Sequence, residues 1–144
     1  MPNAKRVKAV MTPFPYSVAW EEGVQHAIDM MQEHQIRHLP VTRDDAIYGV
    51  VSDADLRVAR AMRQEREHQA DVQVGLVCTR HPYVVDLETP LLEVAEQVVE
   101  RQVGSALVTR EGKLCGILTT TDLCAVLCEL LRARAAPPPE DEAG

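Results

Sequence analysis

Two stretches of the sequence place chemically capable side chains at the same spacing. They are Gly49-Val50-Val51-Ser52-Asp53-Ala54-Asp55 and Gly116-Ile117-Leu118-Thr119-Thr120-Thr121-Asp122. Each runs glycine, two apolar residues, a hydroxyl residue, two variable positions and an aspartate. The apolar pair reads as the end of a strand, and the hydroxyl residue as the N-cap of a helix that follows at once. Two uses of the aspartate are open. In a capping box the acid at the third helical position reaches back to the N-cap backbone N–H, although that box ordinarily holds Glu or Gln and Asp is shorter. In a nucleoside site the same carboxylate accepts both ribose hydroxyls. The neighbouring hydroxyl then donates to a ribose or phosphate oxygen, the free N–H groups of the helix start face an anion, and the glycine lets a flat base approach the backbone. Capping alone predicts carboxylates turned onto their own backbone and a hollow filled by aliphatic side chains. Binding predicts an open hollow.

The two stretches belong to a longer repeat. Offset by 67 positions, the chain matches itself without a gap, as in Val10/Val77, Thr12/Thr79, Pro15/Pro82, Tyr16/Tyr83, Val18/Val85, Gly49/Gly116 and Asp55/Asp122. A repeat that holds register over this length is two copies of one structural unit.

Each copy reads alike. A short extended piece (Ser17 to Trp20; Tyr83 to Asp86) leads into an amphipathic helix. Its apolar positions are Val24, Ala27, Ile28 and Met31 in copy one, and Leu91, Val94, Ala95, Val98 and Val99 in copy two. Thr89 is the expected N-cap of the second of these, with Pro90 at its first helical position. Two strands follow, His38 to Thr42 and Ile47 to Val51, then Ser105 to Thr109 and Leu114 to Leu118, with turns at Asp44-Asp45 and Glu111-Gly112. A last helix starts after Ser52 and after Thr119; Leu123, Leu127, Leu130 and Leu131 line the apolar face of the second. The expected fold is α+β: two β-α-β-β-α units packed with pseudo-two-fold symmetry, residues 1–67 and 68–134, with a disordered acidic, proline-rich tail at 135–144. One unit of about 60 residues buries little surface alone, so the pair is expected to share a face.

Composition narrows the function. A net charge of −7 over 144 residues and only 3% aromatics disfavour nucleic-acid binding. No apolar run approaches the ~20 residues of a membrane span. Lys5, Arg6 and Lys8 precede no apolar stretch, so no signal peptide is expected. Cys78, Cys115, Cys124 and Cys128 show no metal-ligand spacing and read as buried reduced thiols, which fits a cytoplasmic setting. No nucleophile–base pairing, phosphate loop or metal cluster is visible, so neither catalytic residues nor a required cofactor is expected.

Val10-Met11-Thr12-Pro13, Ile36 to Val41 and Gly49 to Leu56, with their second-copy counterparts at Thr79, Ala106-Leu107-Val108 and Gly116 to Leu123, resemble a tandem pair of CBS domains, the arrangement called a Bateman module. The resemblance spans about Val7 to Leu131 and leaves no room for a catalytic domain. It implies a regulatory module that binds an adenosine-containing ligand (AMP, ATP, S-adenosylmethionine or NAD) in a cleft between the copies and modulates a partner protein or its own homodimer. Carried over, Asp55 and Asp122 hold ribose, Ser52 and Thr119 hold ribose or phosphate, and Thr12 and Thr79 with the backbone near Val18 and Val85 contact the base. A site combines Thr79 with Asp55, or Thr12 with Asp122.

The copies are unequal. Arg37-His38 in copy one stands where copy two has Gly104-Ser105. A guanidinium beside an imidazole suits a phosphate, so the Asp55 site is expected to be the better phosphate binder and the Asp122 site neutral. Arg80-His81 is a further source of positive charge. Arg57, Arg60, Arg63 and Arg66 read as a solvated face paired with Glu65 and Glu67, and His26 as a surface residue. The alternative reading is a structural dimerisation module whose motifs only cap helices.

Overall fold

The computed structural model describes residues 5–65 and 71–135, with the side chains of 63–65 left aside. The tail read as disordered, 136–144, lies outside the described residues, as do the side chains of Arg63, Glu65, Arg66 and Glu67; Ala135 itself ends the last helix. The elements are β1 (Thr12–Pro13), β2 (Val18–Ala19), α1 (Val24–His34), β3 (His38–Arg43), β4 (Ala46–Ser52), α2 (Asp53–Glu65), β5 (Val84–Asp86), α3 (Leu91–Arg101), β6 (Ser105–Arg110), β7 (Lys113–Thr119) and α4 (Thr120–Ala135). This is the doubled β-α-β-β-α order. No helix among the described residues is long and apolar enough to cross a membrane.

Each copy builds a small sheet from a parallel pair and an antiparallel hairpin: β2-β3-β4 in copy one and β5-β6-β7 in copy two. Both hairpins carry the same irregularity, between Val41 and Thr42 and between Val108 and Thr109. Val18, Leu39, Val41 and Val51 pack with Ala27, Ile28, Met31 and Leu56 in one core; Val85, Ala106, Val108 and Leu118 pack with Leu91, Val94 and Val98 in the other. These are the apolar stripes of the sequence, facing inward as periods of 2 and 3.6 require, except that Val99, read as part of the α3 stripe, is exposed.

The lead-in segments are exchanged between the copies. Val7, ahead of copy one, is fully buried in the core of copy two, and Val74, ahead of copy two, is fully buried in the core of copy one. Backbone pairing follows the same exchange. Strand β1 joins β7, with Thr12 opposite Ile117 and Pro13 opposite Gly116, and Val50 exchanges both hydrogen bonds with Thr79 at 2.8 and 3.0 Å. Lys8 pairs with Glu88 across the same junction.

This exchange replaces the expected N-cap of α3. Thr89 does not cap α3; Pro90 occupies the N-cap with no side-chain hydrogen bond. The first helical N–H, that of Leu91, donates instead to the Lys5 carbonyl at 2.8 Å, and that of Val24 in α1 donates to the Val72 carbonyl at 2.8 Å. A helix start needs acceptors for its free N–H groups, and here the other copy's lead-in backbone supplies them.

Gly49 and Gly116 sit under these crossings. A Cβ on Gly49 would run into the Thr79 carbonyl oxygen, and one on Gly116 into the Met11 side chain. The glycines thus make room for the exchanged segments rather than for a base. We expect Gly49→Ala to cost about 1–3 kcal/mol in urea unfolding, because backbone must yield. Gly116→Ala is expected to cost less, because a flexible methionine can move. Equal losses would contradict this packing.

Candidate functional site

Both Ser/Thr-x-x-Asp turns form strand-to-helix junctions without an intervening loop. Asp55 Oδ2 accepts from the Ser52 backbone N–H at 3.1 Å while Ser52 Oγ accepts from the Asp55 N–H at 3.1 Å. Asp122 Oδ2 accepts from the Thr119 backbone N–H at 2.8 Å and from the Thr119 hydroxyl at 3.2 Å. The capping use is therefore real in both copies. The hydrogen bonds found at these acids all fall on Oδ2, so Oδ1 of each acid makes none among the described residues. The hollows beside them are open, which capping alone does not require.

The larger hollow, about 940 Å³, is bounded by Thr12 to Tyr16, His34 to His38, Ile117 and Thr119 to Asp122. The smaller, about 220 Å³, is bounded by Ser52, Asp55, Thr79, His81 to Tyr83 and Gln102 to Ser105, with His38 and Val50. Each draws its walls from both copies: Thr12 meets Asp122, and Thr79 meets Asp55, as the exchanged lead-in segments dictate. Ligand pockets commonly hold ~300–1,000 Å³, so the Asp122 cleft has room for a nucleotide while the Asp55 cleft is tight.

Of the Arg37-His38 pair, Arg37 falls on the opposite side from the sequence expectation, while His38 reaches both hollows. Arg37 lines the Asp122 cleft and not the Asp55 cleft, because residues 34–38 connect α1 to β3 at the mouth of the hollow that holds Thr12. The backbone there is fixed by a hydrogen bond from the Asp53 N–H to the Arg37 carbonyl at 2.8 Å, which copy two repeats from Thr120 to Gly104 at 3.2 Å. The Arg37 side chain is exposed and has no carboxylate within ion-pair distance among the described residues. Arg57, by contrast, pairs with Asp53 at 2.9 Å on its own helix.

Val18 and Val85 line neither cleft; their side chains are buried in the two cores. Arg80 lies over the Tyr48 ring, 3.8 Å from its centre, while His81 faces the Asp55 cleft. His26 is exposed, 4.0 Å from Glu22. Of the four thiols, all free, Cys124 and Cys128 are exposed on α4 rather than buried, and burial pushes the half-buried Cys78 and Cys115 upward in pKa. Sequence reasoning missed Phe14, Tyr16 and His34 on the Asp122 cleft. Their one visible signal was an aromatic pair interleaved with Pro13 and Pro15.

His38 borders both hollows. It stands against Gly104, where a Cβ would meet its Nε2 at 2.9 Å. Burial, chiefly, holds the imidazole below its ordinary pKa, and the Arg37 charge adds to this; the carboxylates of Asp55 and Asp53 oppose it. The unfolded chain therefore takes up this proton at higher pH than the folded one. The stability from neutral His38 is complete above the ordinary histidine value and is lost as pH falls through the lowered one. Melts between about pH 7.5 and pH 5 are expected to fall more steeply for the wild type than for His38→Gln. Parallel curves would show that His38 does not set this dependence.

Comparison with known proteins agrees with the doubled architecture. The CBS domain profile matches residues 7–62 and again 72–129. A CBS domain-containing protein from Dictyostelium discoideum is 24% identical over 87% of this chain and 92% of its own length. The crystal structure of CBSX2 in complex with AMP superposes with a TM-score of 0.73 at 28% identity, covering 88% of this chain and 98% of that one. The CBS domain pair of MJ0100, crystallised with 5-methylthioadenosine and S-adenosyl-L-methionine, shares the fold at a TM-score of 0.78 and 18% identity, covering 88% and 98%. Two adjacent matches, one for each sequence repeat, make this chain a member of the CBS domain family that carries the domain twice.

Proposed function

We infer that the chain is a regulatory module that takes an adenosine-containing ligand in the Asp122 cleft and passes its occupancy to a partner protein or to its own homodimer. One observation carries this reading: a hollow of about 940 Å³ whose lining brings together from both copies an aspartate at a helix start, Thr119, Thr12 and a guanidinium with no ion pair among the described residues. Asp122 Oδ1 is the acceptor for ribose hydroxyls. Thr119 and the start of α4 face ribose or phosphate oxygens, and Thr12 faces the base. Arg37 meets the phosphate with charge-assisted hydrogen bonds, with His38 beside it.

AMP is the first ligand to test, because the CBSX2 structure at 28% identity holds it; ATP, S-adenosylmethionine and NAD remain candidates. The tighter Asp55 cleft, with Ser52, Thr79 and His81, is a second site for a smaller or uncharged nucleoside. Binding across two copies gives the ligand a way to favour one relative arrangement of them, which regulation requires.

A second reading, a dimerisation module without a ligand, has its own support. Both acids are already engaged as caps. Helix α4 buries no residue: Leu123 is half-buried against the core of copy two, but Leu127, Leu130 and Leu131 are each more than half exposed, as are Val58 and Met62 on α2. A leucine face so open is a surface for a second copy. The two readings are compatible, and ligand binding separates them.

Calorimetry is expected to show AMP binding in the micromolar range. Arg37→Ala should weaken it about tenfold without lowering the ligand-free melting temperature, since the side chain is exposed. No heat and no thermal shift with any adenine nucleotide would leave only the ligand-free reading. In sedimentation, the wild type is expected to run as a dimer and Leu127→Glu/Leu131→Glu as a monomer. An unchanged mass would remove α4 from the interface.

A further inference from the structure

Among the described residues, left-handed backbone comes in matched pairs, with one exception. Gln35 and Gln102, both at φ 54°, end α1 and α3; Asp44 and Glu111, both at φ 51°, open the two hairpin turns, and Asp45 at φ 64° and Gly112 at φ 80° complete them. Each pair is related by the internal repeat, so each conformation belongs to the fold. Phe14, at φ 50°, has no such partner. Its counterpart, His81, is not left-handed, although both residues precede a proline. The fold therefore does not demand strain at this position; copy two manages without it.

The strained residue is also the most exposed large apolar side chain of the chain's described part. Phe14 is 90% exposed, and no ring partner covers it among the described residues. Its backbone is nonetheless held firmly. The Phe14 N–H donates to the Cys115 carbonyl at 3.1 Å, at the end of the β1–β7 pairing, and prolines flank it on both sides. The ring lines the Asp122 cleft, whose wall also carries Tyr16 and His34, stacked on each other with centres 3.6 Å apart and planes 11° from parallel. In a chain with only 3% aromatics, a phenyl ring fixed in a costly conformation, contributing nothing to its own core, marks a site where function holds the strain.

We propose that Phe14 is a base-binding residue that offers its ring as the stacking face for the purine base of a nucleotide in the Asp122 cleft. The inference rests on the ligand-binding reading above and assigns the base-recognition element within it. Stacking on an aromatic face tolerates any planar base and is lost with the ring. The Asp55 cleft has an imidazole, His81, at the matching position, with Tyr83 beside it, so the two clefts present different rings to a base.

Two variants test the assignment with AMP as the probe. Phe14→Gly removes the ring and relieves the left-handed backbone, since glycine takes that conformation freely; its melting temperature should equal or exceed that of the wild type while AMP affinity falls about tenfold. Phe14→Trp keeps a planar face; its affinity should stay within about threefold of the wild type, and AMP should quench its indole emission beyond any change in the wild-type Trp20 signal. Equal AMP affinity in Phe14→Gly and wild type would overturn the proposal. So would an equal loss in both variants, or a lower sedimentation mass for Phe14→Gly, which would assign the ring to a subunit contact. Absence of AMP binding to the wild type itself would defeat the ligand reading first, and this inference with it.

Discussion

The structure depends on the crossing of two short backbone segments. Lys5 and Val72 each present a carbonyl to the first N–H of a helix in the other copy, and Val7 and Val74 each fill a hole in the other copy's core. An uncapped helix start and a cavity in place of a buried valine are both costly. Neither copy can therefore be completed without the other's lead-in residues. A unit of this size has little core to spare, and the exchange turns two marginal units into one interdependent pair.

The clefts are a consequence of that crossing. Because residues 5–13 travel to copy two, Thr12 arrives beside Asp122; because residues 71–79 travel to copy one, Thr79 arrives beside Asp55. Part of each hollow's wall is anchored by hydrogen bonds with a second duty. The caps hold Asp55 and Asp122 at their helix starts, and the bonds from Asp53 to Arg37 and from Thr120 to Gly104 fix backbone at the edge of each cleft. Capping occupies one oxygen of each carboxylate, Oδ2, and leaves Oδ1 without a hydrogen bond among the described residues.

Duplication has left the scaffold symmetric and the clefts unlike. The hairpin irregularities, the helix ends and the turn conformations recur in both copies. The side chains over the hollows do not: Arg37 and Phe14 face one, with Gly104 and His81 at the matching places of the other. His38 lies between them, partly withdrawn from water and pressed against Gly104. Backbone constraints of the hairpins and helix ends act alike on both copies, with the left-handed Phe14 the exception, whereas cleft side chains are free to diverge as long as they leave the cores intact.

The repeat, the strand and helix order and the inward faces were legible in the sequence, since each is a matter of short-range period and every element is built from neighbours in the chain. The Ser/Thr-x-x-Asp turns were legible for the same reason, their partners being three residues apart. What the tertiary structure alone decided is which copy each segment serves. The cap of α3 came from Lys5 rather than Thr89, Gly49 and Gly116 made way for crossing segments rather than for a ligand, and Arg37 turned to the Asp122 cleft rather than to the aspartate of its own copy. Leu127, Leu130 and Leu131 of α4, which look like core in one dimension, face outward in three. Contacts between residues distant in the chain leave no period to read; they are fixed only when both cores close and the lead-in segments have one place left to go.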